Sequence, residues 1–286
     1  MIYKNMVTLL PPFQFVALRA FFAALCSLLF LTLYVKRVTR QEIAAGAVLG
    51  GILAAAGVVQ TYGIQATSAG NCAFLTGTNV VMVPFFSWIL TKKKVSLRCV
   101  MAALIMFAGV CVLTVDIKSV GSFNRGDALS FAGAVLFAIH IAATEFFTLR
   151  VRPLSLVSLQ FIFLFLFHLP TLPYIPEWYV IPSEAWIPMG YLGIVCIFAG
   201  HSIQIICQEK TDATKAAIIL SLEGVFGSLF SVMFLGERYA FSALFAFLMI
   251  FASIILSQTQ GREAKTKHNT VFAQDSGFAS ESDLPS

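Results

Sequence analysis

Long apolar runs separated by short polar breaks cover most of the chain. Nine runs are long enough to be read as helices: Pro12–Val35, Glu42–Gln65, Ala69–Leu90, Leu97–Val115, Asp127–Thr148, Leu154–Tyr174, Ala185–Cys207, Ala213–Leu235 and Phe241–Ser257. A helix needs about 20 apolar residues to cross a hydrocarbon layer of ~30 Å, and these runs approach that length. They are continuous rather than alternating, which predicts helices and not the strands of a barrel. The predicted fold is therefore all-α. Residues 261–286 are polar and rich in Ser and charge, and are predicted to be a disordered tail.

Composition says which solvent these helices occupy. Of 286 residues, 58% are hydrophobic and only 12% charged, and the mean hydropathy is +0.86. A water-soluble domain usually carries about 25% charged residues, so this chain has too little polar surface to cover itself in water. It is expected to be an integral membrane protein with lipid as its surroundings. The net charge of +5 sits in short loops between apolar runs and does not indicate nucleic acid. The six cysteines form no CxxC pair, so neither a disulfide framework nor a metal site is predicted, and they are read as reduced packing residues.

The charge distribution orients the helices. With the first loop placed in the cytoplasm and the sides alternated, Lys36, Arg37, Arg40, Lys92, Lys93, Lys94, Arg98, Arg150, Arg152, Lys210 and Lys215 fall on one side, with the basic residues of the tail. Only Lys4, Lys118, Arg125 and Arg238 fall on the other. This asymmetry predicts a cytoplasmic C-terminus in a multi-pass plasma-membrane protein. The loop PYIPEWYVIPSEAW, with its Tyr and Trp residues and no Lys or Arg, is expected outside.

Shifting the chain by 144 residues overlays its two halves without a gap. Gln60 falls on Gln204, Thr67 on Thr211, Ala73 on Ala217, Val81 on Val225, Ser87 on Ser231 and Phe107 on Phe251. At a shift of 141, Pro12 falls on Pro153, Val16 on Val157 and Arg19 on Gln160. The second half holds five helices (126–258) and the first half four (1–116), so a first helix is missing from an expected ten. Either the chain is shortened relative to a ten-helix parent, which is preferred, or it is a nine-helix protein. An odd number of helices per repeat gives the halves inverted topology, the architecture of many secondary transporters, with the solute site near the midplane at the repeat interface.

Three stretches also resemble a known family. YGIQATSAGNCAFLTGTNVVMVPFFSWILTKKK is similar to the third and fourth helices of EamA-type members of the drug/metabolite transporter superfamily. LSLEGVFGSLFSVMFLGER is similar to their ninth helix and PFQFVALRAFF to their second, over about residues 2–257 in all. The resemblance implies ten helices in two inverted repeats and movement of small solutes, often outward. The chain departs from the family pattern in lacking the first helix and in carrying Gly224 where a proline usually follows Glu223.

Candidate residues follow from depth and spacing. Glu223 lies at the middle of its segment and Asn79 is its repeat mate, so the two are expected to share a polar cavity at the midplane. The competing view makes Glu223 a protonated interhelical bond. Gln60 and Gln204 are repeat mates, and His201, Gln204 and Gln208 share one helix face. These glutamines either line a half-channel or tie helices together. His140 lies well inside the membrane and is a candidate proton-linked group, or a neutral packed residue. Arg19 lies about 10 Å along its helix; it snorkels outward, or meets Glu223 or an anionic group on the solute. Glu145 is expected to reach the headgroups and His168 to be interfacial. Gly46, Gly50, Gly51 and Gly57, on an alanine-rich helix, predict close packing or a sliding surface. No HExxH, GxSxG or P-loop is present, and no enzyme is predicted. The expected partners are lipid, a small-molecule solute and a proton or counter-solute, with no cofactor; oligomeric state is not readable. A truncated non-transporting membrane protein or scaffold is the alternative, and an intramembrane enzyme a minor one.

Overall fold

A computed structural model describes residues 6, 9–35, 37–67, 72, 75–114, 124–170, 181–222, 226 and 241–258. Among them the chain forms helices and no strand. We number the helices α1 (Pro12–Tyr34), α2 (Arg40–Ala66), α3 (Asn79–Thr91), α4 (Leu97–Thr114), α5 (Arg125–Thr148), α6 (Pro153–His168), α7 (Ser183–Gln208), α8 (Ala213–Leu220) and α9 (Phe241–Gln258). By length and composition α1, α2, α5 and α7 are each able to cross a membrane, and Leu75–Thr91, Leu97–Val112, Pro153–His168 and Phe245–Ser257 are shorter apolar helices. Several predicted features lie outside the described residues: Glu223, the far end of its segment, most of the aromatic loop after Tyr174, and the tail.

The helix ends obey local chemistry. α1 and α6, which the repeat register pairs, each open with a proline at the first turn, where the missing N–H costs nothing. α2 starts in a capping box: Thr39 accepts from the Glu42 N–H, and the Glu42 carboxylate accepts from the Thr39 N–H at 2.8 Å. Asn124 and Asp127 do the same for α5, at 2.9 and 3.0 Å. Replacing Asn124 by alanine leaves one end of that box empty. The expected loss is about 1 kcal/mol, read as a lower midpoint in reversible detergent unfolding.

The register pairs α1 with α6, α2 with α7 and α4 with α9, whereas the mates of α3 and α8 lie mostly outside the described residues. Exchanging mates turns the α2–α6 contact into the α7–α1 contact, and both are present. The α1–α6 and α4–α9 contacts, each between register mates, are present, and α3 packs on α8. α5 packs on α2 and α3.

Small residues set the closest approach. A Cβ built on Gly46 would sit 2.4 Å from the Leu159 Cβ, and one on Gly50 would sit 2.5 Å from the Gln160 carbonyl oxygen and 2.9 Å from the Leu164 nitrogen. The α2 and α6 backbones therefore touch, as small residues allow in membrane helices. The outward faces carry large apolar side chains: Leu29 and Leu33 on α1, Ile187 and Ile203 on α7, Leu248 and Ile255 on α9. Polar side chains, by contrast, turn inward: Ser27, Thr61, Ser130, His140, Gln160 and Ser253 are almost wholly buried. That inversion suits a hydrocarbon solvent, which offers no partner to a hydrogen-bonding group.

Candidate functional site

The inward polar residues line up along the bundle. α5 supplies His140, fully buried, whose Nε2 lies 3.3 Å from the Gln160 Oε1 on α6. An amide oxygen only accepts, so that Nε2 carries the ring proton. The His140 ring also stacks edge-on against His201 of α7, with centroids 5.8 Å apart. His201 donates from Nδ1 to the Ile197 carbonyl at 3.1 Å, which leaves its Nε2 as an acceptor in the neutral ring. Arg19, buried on α1, stacks its guanidinium over Phe15 at 4.4 Å and lies within electrostatic reach of His201 and His168. Towards the basic end of the bundle, the Gln204 amide donates to the Gln208 Oε1 at 2.9 Å, and the Gln208 amide donates to the Ile141 carbonyl of α5 at 3.0 Å. His168, Arg19, His201, His140 and Gln160, then Gln204 and Gln208, thus form one buried polar file among α1, α5, α6 and α7.

Two backbone irregularities border it. α7 is π-helical from Leu192 to Ala199, immediately before His201. Such widened turns are frequent at functional sites. The helix that begins at Leu75 is interrupted by a turn at Thr78, directly before Asn79, and α8 stops in a turn at Ser221. Thr78 and Ser221 lie within one residue of each other in the repeat register. Paired breaks near mid-membrane are how transporter helices expose backbone groups to a solute.

Most of the predicted site residues find a defined place. Arg19, His140 and Gln204 belong to the file. Gln60 does not: half-buried on α2, it packs against Gly133 of α5, with its Cβ 3.6 Å from where a Gly133 Cβ would stand. Asn79 is half-buried at the start of α3 rather than at mid-helix. Glu145 turns inward instead of reaching the headgroups, because the Ser87 hydroxyl donates to its carboxylate at 2.6 Å across α3 and α5. His168, the last residue of α6, is buried within the bundle and within electrostatic reach of Arg19. None of the six cysteines is in a disulfide, and Cys196 and Cys207 are exposed on α7 rather than packed.

Sequence reasoning passed over Gln160, noted only as the mate of Arg19. It is fully buried and its Nε2 has no acceptor among the described residues. A buried donor left without a partner costs about 1–3 kcal/mol. The Glu42–Arg152 pair was also passed over. Arg152, in the α5–α6 connection, grips the Glu42 carboxylate at 2.7 and 3.0 Å and donates as well to the Arg37 carbonyl. The signal was present in Thr39 followed by Glu42, a capping box whose carboxylate has lone pairs to spare. This pair borders a surface cleft of about 440 Å³ at the basic end, lined by Thr39, Glu42, Thr148, Arg150 and Glu209 among others. No group of three or more His, Cys, Asp or Glu residues converges among the described residues, so nothing there is arranged as a metal centre.

An all-helical bundle with apolar outer faces and a polar interior is the form of a multi-pass membrane protein. The sequence profile of the EamA-like transporter family matches residues 1–115 and 124–259, and the chain belongs to that family. An uncharacterized transporter of Archaeoglobus fulgidus is 32% identical over 199 residues, 69% of this chain; the match spans 63% of the archaeal protein, under two thirds of its length. A protein of known crystal structure shares the fold, with a TM-score of 0.74 over 92% of this chain and 94% of its own. At 17% identity that likeness speaks for the fold alone.

Proposed function

We propose that the chain is a secondary transporter that moves a small metabolite or drug-like solute across the plasma membrane by alternating access, in the export direction. The supporting observation is the file of buried polar side chains enclosed by helices with apolar outer faces. Inverted repeats provide two equivalent packings of one fold, and a site between them can open to either side in turn. Repeat boundaries at 1–116 and 126–258 fit this exchange. Glu223 and Asn79 are proposed to couple a proton or counter-solute to the movement, Glu223 from its mid-segment depth and Asn79 from its place at the helix break. The discriminating experiment is counterflow in proteoliposomes: preloaded unlabelled solute should drive uptake of the same labelled solute, and a panel of metabolites that shows no exchange by folded protein counts against transport.

The basic end is proposed to face the cytoplasm. In a cysteine-free background, Lys93→Cys should resist a membrane-impermeant thiol reagent in intact cells, and Glu184→Cys should react. The reverse pattern would invert the assigned topology.

A further inference from the structure

α7 changes its buried face part of the way along. Its leading part is buried at Ala185, Met189, Leu192 and Gly193; Ala185, Met189 and Leu192 pack against Leu10 and, on α1, Val16 and Leu18. In an unbroken α-helix, steps of three and four residues carry that stripe on to 196, 200, 203 and 207. Cys196, Gly200, Ile203 and Cys207 are instead all exposed. The trailing part buries Gln204, Ile205 and Gln208, with His201 half-buried, which is the same stripe set one residue later. Between the two stripes lie the π-helical turns from Leu192 to Ala199. Their i→i+5 bonds enclose one more residue per turn than α bonds do, so they take up the extra residue.

The leading part is pinned and the junction is loose. A Cβ built on Gly193 would stand 2.6 Å from the Phe22 Cβ and 2.7 Å from the Arg19 carbonyl oxygen, so the α1 and α7 backbones touch there. Gly200, where the π turns end, answers no such demand. It is exposed, and among the described residues a Cβ there would meet only the Val195 carbonyl oxygen of its own helix, at 3.8 Å. Glycine weakens a helix interior, and at position 200 the fold gains no closer packing in return. Beside it the His201 Nδ1 donates to the Ile197 carbonyl and the Ser202 hydroxyl to the Phe198 carbonyl. Such side-chain bonds compete with the helix ladder and bend it.

We propose that α7 has two windings and that its π segment is the switch between them. Conversion of the segment to α winding turns residues 200–208 by one position, about 100°. The lining of the file then changes from His201, Gln204 and Gln208 to Gly200, Ile203 and Cys207. Each residue takes the place of the next: Cys207 comes to the Ile141 carbonyl, where Gln208 now donates, and Gln204 enters the apolar site of Ile205 among Ala143, Leu156 and Val157. Burial of that amide makes the α winding the less stable of the two and the π winding the resting one. Resting on the transporter reading, the turn is the step that withdraws hydrogen-bonding groups from a bound solute and releases it.

The test uses the full purified chain in lipid nanodiscs and involves no solute. Deletion of Cys196 or of Val195, both exposed within the π segment, removes the extra residue and leaves both stripes in place. At least one of these deletions should fold, with an unfolding midpoint equal to or above that of the parent. Deletion of Leu25, also exposed but in regular α1, turns the Ser27 hydroxyl away from the Ser158 carbonyl and should lower the midpoint. Ile141→Cys, in a protein whose only other cysteine is Cys207, reports the second winding. Iodine should form the 141–207 disulfide about fivefold or more faster in the parent than in a folded deletion, which has no residue left to give up. Equal rates, no disulfide in the parent, or loss of folding in both π-segment deletions would overturn the proposal. A parent that shows both windings and exchanges no metabolite in proteoliposomes keeps the switch and loses the transporter reading. Exchange by a parent whose disulfide forms no faster than in the deletion does the opposite.

Discussion

Gly50→Leu is expected to abolish folded protein, whereas Gly51→Leu, one residue along the same helix, is expected to be tolerated. The difference lies in what each new side chain meets. At position 50 a Cβ alone would stand 2.5 Å from the Gln160 carbonyl oxygen, 2.8 Å from the Phe163 Cβ and 2.9 Å from the Leu164 nitrogen. Two of those atoms are backbone and cannot rotate away. Relief requires α2 and α6 to separate, and with them the α2–α5 contact that shares the same helix. Overpacking a well-filled interior costs about 1–3 kcal/mol even where side chains can adjust, so a clash against backbone exceeds that range. At position 51 the nearest atoms are ring carbons of Phe167, at 3.4 Å and beyond, on a side chain half exposed towards lipid. Monodisperse yield after detergent extraction measures both variants. Equal yields would show that the α2–α6 contact does not govern assembly.

The hydrophobic pattern made the helices legible, since each run had to be long enough for the membrane and each break polar enough for the loops. A register shared by several helices and loops is legible in the sequence as well, because it leaves a trace that single residues do not. What the pattern could not decide was which polar residues converge. Gln60 and Gln160 look alike in sequence, each a lone amide in an apolar helix. The α2–α5 packing turns Gln60 onto Gly133, whereas the α5–α6–α7 junction turns Gln160 onto His140. Glu145 shows the same limit. Its place near a helix end suggested the headgroups, but Ser87 on a separate helix draws it inward. The choice of face depends on pairs of helices far apart in sequence, and the period of one helix holds no record of its partner. Even so, the mate of Arg19 was visible from the register. Following every repeat mate of a buried charge would have singled out Gln160.

Gln208 supports the second prediction of large effect. It closes the basic end of the polar file, joining α7 to α5 through the Ile141 carbonyl at 3.0 Å and accepting from Gln204 at 2.9 Å. The Ile141 carbonyl lies within α5, where helix geometry supplies an amide partner of its own. Loss of the glutamine leaves no orphaned group on α5 but strands the Gln204 amide, and Gln208→Leu is expected to cost about 1–3 kcal/mol of stability. Its effect on access is expected to be larger than its effect on folding. Gln208→Glu goes further, because an ionised carboxylate has no N–H to offer and turns two acceptors against each other at the same contact. Ser202, buried on α7 and deeper in the bundle by about 9 Å, supplies the reporter. With the exposed Cys196 and Cys207 replaced by serine, the reaction rate of Ser202→Cys with a polar thiol reagent applied from the basic side should rise several-fold in Gln208→Leu and more in Gln208→Glu. The order matters as much as the size, since packing loss alone would favour neither substitution over the other. A Gln208→Glu protein that folds and leaves the Ser202→Cys rate unchanged would mean that this contact is a fixed tie between α5 and α7, and that the file opens to the basic side by another route.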